Sequence, residues 1–130
     1  MKNKFSRKWI SSKQPRKQRK YRYNAPLHLR QKMVAAHLDK TLRKEYKKRS
    51  MPVRKGDEVV VMRGKFRKKR GNVTHIDLSK MKIFIDDIKI KKVSGQEVEI
   101  PIEPSNVKIT KLNLDDKKRI KILKRKAKAL

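Results

Sequence analysis

The chain has 130 residues, 41 of them Lys or Arg against 12 Asp or Glu, for a formal net charge of +29. That size fits one ordinary domain, and the charge far exceeds what solubility requires, so a polyanion is the expected partner. Cys is absent, which excludes disulfides, thiol nucleophiles and thiolate zinc sites and fits a reducing compartment.

Residues 1–50 carry net +16, residues 51–110 net +6 and residues 111–130 net +7. The first acid is Asp39, with 12 cations before it. Residues 1–24 therefore read as an extended basic arm, disordered when free. Asn24-Ala25-Pro26 is a helix start signal, and Leu27, Met33, Val34, His37 and Leu38 give a loose apolar stripe after it. Asp39 is placed to cap a second short helix over 40–47, with Leu42 and Tyr46 at i and i+4. Residues 25–50 thus read as a helical extension.

Residues 51–110 hold the core signal: 22 apolar side chains, 16 of them Val or Ile. β-branched enrichment in short runs between turn signals favours strands. The pattern predicts strands over 57–62, 72–77, 81–85, 88–93, 97–102 and 106–109, and hence a small antiparallel barrel. Asp115 or Asp116 is placed to cap a last helix running to about residue 126. Its apolar face is only Ile120, Leu123 and Ala127, so it needs a partner to stay folded.

No unbroken apolar run exceeds four residues, which excludes a membrane-spanning helix, and the N-terminus lacks the apolar stretch of a secretory signal. His28, His37 and His75 have no metal-ligand spacing, no nucleophile motif is visible, and Asp86-Asp87 would point to opposite strand faces. The expectation is no enzyme, no metal, no cofactor and no small-molecule substrate.

Two constellations carry chemistry. Residues 13–23 place six cations in eleven residues, Lys13, Arg16, Lys17, Arg19, Lys20 and Arg22, interleaved with Tyr21 and Tyr23; Phe5 and Trp9 lie upstream. Phosphates take point charges and guanidinium forks, and unpaired bases take flat rings. The second is the loop of residues 63–71, with six cations in nine residues (Arg63, Lys65, Arg67, Lys68, Lys69 and Arg70). Gly64 and Gly71 bracket it and let the backbone turn or approach a phosphate. The acids Asp77, Asp86, Asp87, Glu97, Glu99 and Glu103 cluster away from it, either as a second face toward solvent or protein or as ordinary strand-surface charge.

Residues 16–32 (RKQRKYRYNAPLHLRQK), 50–64 (SMPVRKGDEVVVMRG) and 65–77 (KFRKKRGNVTHID) together resemble the KOW-motif ribosomal proteins of the large subunit, the universal L-twenty-four family in its archaeal and eukaryotic branch. The likeness extends through residues 102–110 and into the basic tail. It implies an SH3-like barrel over 51–110, with basic and helical extensions on either side, in a cytoplasmic structural constituent of the large ribosomal subunit. Its implied partners are large-subunit ribosomal RNA and neighbouring ribosomal proteins. By position, the RNA contacts implied are Arg16, Lys17, Arg19, Lys20 and Arg22, with Arg54, Lys55, Arg63 and Lys65. The candidate RNA-binding set adds Tyr21, Tyr23, Arg30, Arg49, Gly64, Arg67, Lys68, Lys69, Arg70 and Gly71. The family's loop usually has a glycine where this chain has Lys68, which implies an altered turn and an added phosphate contact. A KOW-type factor that visits RNA transiently and a DNA-compacting protein are the rival readings.

Overall fold

The computed structural model describes residues 5–128, with side chains through Arg125. The first four residues of the arm and the Ala127 side chain of the expected apolar face lie outside that range. Two helices open the chain, α1 (Pro15–Asn24) and α2 (Leu27–Met33), followed by strand β1 (Ala35–Leu38) and helix α3 (Lys40–Tyr46). Then come β2 (Ser50–Pro52), β3 (Glu58–Val61), β4 (Arg70–Asp77), β5 (Lys82–Ile85), and the ribbon strands β6 (Lys89–Lys91) and β7 (Glu97–Glu99). A 3-10 turn (Pro104–Asn106), β8 (Val107–Lys111) and helix α4 (Lys117–Lys128) complete it.

Six strands form one sheet in the order β2-β1-β8-β3-β4-β5, and β6 and β7 pair separately. Every pairing is antiparallel except β1 with β8. Register shifts at Glu58/Val59 and at Val73/His75 curl the sheet. The core that it helps to enclose contains Val59, Val73, Ile83, Ile85, Ile88, Val107 and Ile109, all essentially inaccessible to water.

The expected mainly-β barrel is corrected to a mixed fold. Four helices accompany the strands, and no hydrogen-bonded pairing joins the outer strands β2 and β5 of the six-stranded sheet. β1 is a separate departure, since sequence reading placed these residues in a helix. Val34, Ala36 and Leu38 are buried while Ala35 and His37 are half-exposed. That is a period of two hidden beneath the helical spacing of Val34 and Leu38, and pairing with β2 and β8 overrides the helix propensity of the two alanines.

The arm also differs from expectation. It is helical over α1, which has Pro15 at its first turn and buries no residue. Pro presets the first φ, and Arg, Lys and Gln are good helix formers. The two helices expected to be capped fall where expected, although the Asp39 side chain makes no capping hydrogen bond. α3 begins after Asp39, and the Asp116 carboxylate accepts the backbone N–H of Lys118 at 2.9 Å to start α4.

α4 does pack on the sheet. Leu123 is buried in the core and Ile122 lies against it. Arg119, one turn before Leu123 on the same face, is 1% exposed and meets Asp57, 0% exposed. The pair is bidentate, Nη1 to Oδ1 at 2.6 Å and Nη2 to Oδ2 at 2.7 Å. Arg119 also donates to the carbonyls of Asn113 (3.0 Å) and Pro52 (3.1 Å), and Asp57 accepts the N–H groups of Arg54 (3.0 Å) and Asn113 (2.9 Å).

Candidate nucleic-acid interface

The loop between β3 and β4 is a tight, self-bonded turn. Val61 and the residues closing the loop exchange hydrogen bonds: Lys68 N–H to Val61 C=O at 2.8 Å, and Val61 N–H to Lys69 C=O at 3.0 Å. Phe66 packs against the core and anchors the tip, with the Lys69 ammonium 5.1 Å from its ring centroid. With the one large apolar side chain turned inward, Arg63, Lys65, Arg67, Lys68, Lys69 and Arg70 are all exposed. None of the six forms an ion pair with any described residue. A shallow groove of about 580 Å³ runs beside the loop, bordered by Arg67, Lys68, Arg70 and Lys108.

The two glycines serve different ends. Gly64 has φ +97° with open space around it, a conformation that side chains disfavour. Gly71 lies inside β4, where an added Cβ would sit 2.6 Å from the Asp86 carbonyl oxygen and 2.7 Å from Ile85 Cγ2. The close approach it permits is therefore to β5, within the fold. Lys68 has φ +71°. Lys68 thus occupies a left-handed turn conformation that a glycine would adopt freely.

Among the arm candidates, Arg16, Lys17, Arg19, Lys20, Arg22 and Tyr23 are exposed on α1, while Tyr21 is half-buried against Trp9. Arg22 reaches Met81 Sδ at 4.0 Å, in the turn between β4 and β5. Arg30 is a joint: it donates to the carbonyls of Ala25 (2.9 Å), Tyr23, Leu78 (3.4 Å) and Ser79, fixing the start of α2 on that same turn. The arm therefore originates at one end of β4 and the loop at the other. Eight residues of strand separate them, roughly 23 Å at about 3.3 Å per step.

The remaining candidates lie elsewhere. Arg49 is exposed and, with Ser50, Ile122 and Arg125, borders a groove between α4 and the turn before β2. Arg54 is engaged by Asp116, whose carboxyl is held below its ordinary pKa by that guanidinium and by the Lys118 N–H. Lys55 is exposed. The acids of the other half serve local joints: Glu103 with Lys82, Glu99 with His75 at 3.6 Å, and Asp77 folding the turn through Ser79.

Sequence reading missed the Asp57–Arg119 pair, and its one signal was an arginine on the apolar face of α4. It also left Trp9 and Phe5 outside the candidate set, although Trp9 stacks on Tyr21 and Phe5 lies tilted against it. Among the described residues no group of three or more His, Asp or Glu could hold a metal ion, and no helix is long and apolar enough to cross a membrane.

A family model that describes the eukaryotic ribosomal proteins L26 together with their archaeal L-twenty-four counterparts matches residues 12–126. The chain is also similar to the "Large ribosomal subunit protein uL24" of Methanothrix thermoacetophila, with 54% identity over 114 residues, covering 88% of this chain and 98% of that protein. The chain thus belongs to the archaeal and eukaryotic-type family of large-subunit ribosomal proteins, structural rather than enzymatic components of the cytoplasmic ribosome.

Proposed function

We propose that this protein binds large-subunit ribosomal RNA at two poles, with the β3–β4 loop at one end of β4 and the α1 arm at the other. The curled sheet, read as the SH3-like unit of the family left open at β2 and β5, fixes their separation. The observation that carries this reading is the exposed row of six loop cations without a carboxylate partner, set a strand's length from a second such row on α1. Phosphates of a folded RNA are the counter-charge such rows fit. Two poles roughly 23 Å apart are farther than a Debye length at physiological salt, so they act as separate contacts. Arg16, Lys17, Arg19, Lys20 and Arg22 serve the arm pole, and Arg63, Lys65, Arg67, Lys68, Lys69 and Arg70 the loop pole. Arg49, Arg54 and Lys55 flank β2 in sequence and supply weaker, shared contacts. Tyr23 is open for stacking, whereas Arg30 and Gly71 act by holding the poles in place. Neighbouring ribosomal proteins complete the environment.

The test is filter binding to a large-subunit ribosomal RNA transcript across a salt series. About ten neutralised phosphates give a log–log slope near −7 to −9. Changing Arg67, Lys68 and Lys69 together to Gln flattens the slope by about 2–3, and so does changing Arg16, Lys17 and Arg19. A wild-type slope near −2 would refute the reading.

A further inference from the structure

We propose that Trp9, Tyr21 and Phe5 form a receptor for a single unpaired RNA base, with Lys8, Lys17 and Lys20 on its flanking phosphates. This deepens the RNA-binding reading and rests on it.

The argument starts from α1, which buries no side chain on its own account. The irregular segment before it folds back so that Trp9 stacks on Tyr21, centroids 4.3 Å apart and planes 22° apart, with Phe5 tilted at 5.0 Å. Three rings are thus assembled outside the hydrophobic core cluster. Beside them opens a cavity of about 400 Å³, walled by the rings and by Lys8, Lys17 and Lys20. A second, of about 560 Å³, lies across Phe5 and Tyr21 toward His28. No carboxylate lines either cavity among the described residues, so the ligand is an anion or carries one.

Trp9 Nε1 is shielded from water and has no acceptor. An unsatisfied donor of that kind is costly, and a base or phosphate oxygen would satisfy it after a small shift of the ring. Flat apolar walls with three ammonium groups around them match a nucleotide: a π-face to stack and phosphates to pair. A duplex hides its base faces in its own stack, so the ligand is unpaired.

Trp9 is the only tryptophan in the chain, so its fluorescence reports on the pocket directly. Full-length protein is titrated with a short oligoadenylate, an abasic strand of equal charge, an RNA duplex and polyglutamate. The oligoadenylate should quench Trp9 to a one-to-one endpoint and bind roughly tenfold or more tighter than the abasic strand, the size of one base–aromatic stack. Tyr21→Leu should erase that difference. Equal binding and quenching by base-bearing and abasic strands, or by polyglutamate, would overturn the pocket and leave the two-pole reading standing. Failure of every RNA to bind would overturn both.

Discussion

Removing one partner of the buried Asp57–Arg119 pair should be the most damaging single change in this molecule. Arg119→Met keeps the length of the stem and removes the guanidinium. Asp57, 0% exposed, is then left charged with only the N–H groups of Arg54 and Asn113 as partners. Breaking a buried pair by removing one member costs about 3–5 kcal/mol. The two backbone donors that remain place the loss near the lower bound, about 3 kcal/mol. Asp57→Asn should cost a similar amount, because Arg119 keeps only the Asn113 and Pro52 carbonyls. Against a typical domain stability of about 5–15 kcal/mol, either change is a large fraction. The pair acts as one unit, so the double variant should be no worse than either single one, giving a coupling of about 3 kcal/mol. Urea unfolding of the four proteins, followed by circular dichroism, measures this. Single losses below about 1 kcal/mol, or additive losses, would refute the view that this clamp holds α4 to the sheet.

Other expectations follow from the same geometry. Lys68→Gly should raise stability by about 0.5–1 kcal/mol, since it relieves a left-handed φ of +71°; a loss of stability in thermal unfolding would count against the strain argument. Gly71→Ala should lower stability by about 1–3 kcal/mol, because its Cβ has no room against Asp86 and Ile85. Asp116 has a depressed folded pKa, so its contribution is complete above the ordinary carboxylate value and is lost as pH falls through and below it. The stability advantage of wild type over Asp116→Asn, which keeps the cap and removes the charge, should close below about pH 4 in urea titrations. In high-salt sucrose gradients the chain should stay one-to-one with large subunits; release to the top would favour a transient factor.

β5 and β8 were legible because Val and Ile repeat with period two between turn residues, whereas β3 buries Val59, Val60 and Val61 in a row and β6 is exposed throughout. Val107 and Ile109 are buried in β8 as alternation predicts, and Ile83 and Ile85 in β5. β1 was not legible, because Ala-Ala in a segment with Val34 and Leu38 four apart satisfies both periods, and only pairing with β2 and β8 chooses. The loop cations were legible from composition alone. The inward anchor Phe66 and the role of Gly71 were not, since both depend on what lies across the sheet. Arg30 illustrates the limit: in sequence it is one more cation of a basic segment, and in the fold it is spent on backbone carbonyls.

A chain with 12 acids against 41 basic residues must fold against its own repulsion, and the placement of the acids shows how. Asp39 meets Lys108 and ties the entry to α3 onto β8. Asp57 joins the start of β3 to α4 through Arg119, and Asp116 joins α4 to the segment before β3 through Arg54. Glu103 links the chain before the 3-10 turn to β5 through Lys82, and Glu99 links β7 to β4 through His75. Each of these contacts bridges two separate parts of the fold, and none reaches the β3–β4 loop or the cations of α1. Five of the twelve carboxylates thus sit at joints, and four of these neutralise a lysine or arginine while fixing geometry. The two basic rows are left for an external polyanion to neutralise, so a polyanion should stabilise the folded chain as well as bind it. Polyphosphate added to the free protein should therefore raise its unfolding temperature, and the loop and arm Gln variants should each lose part of that rise. An equal rise in all of them would place the neutralising contacts outside the two poles.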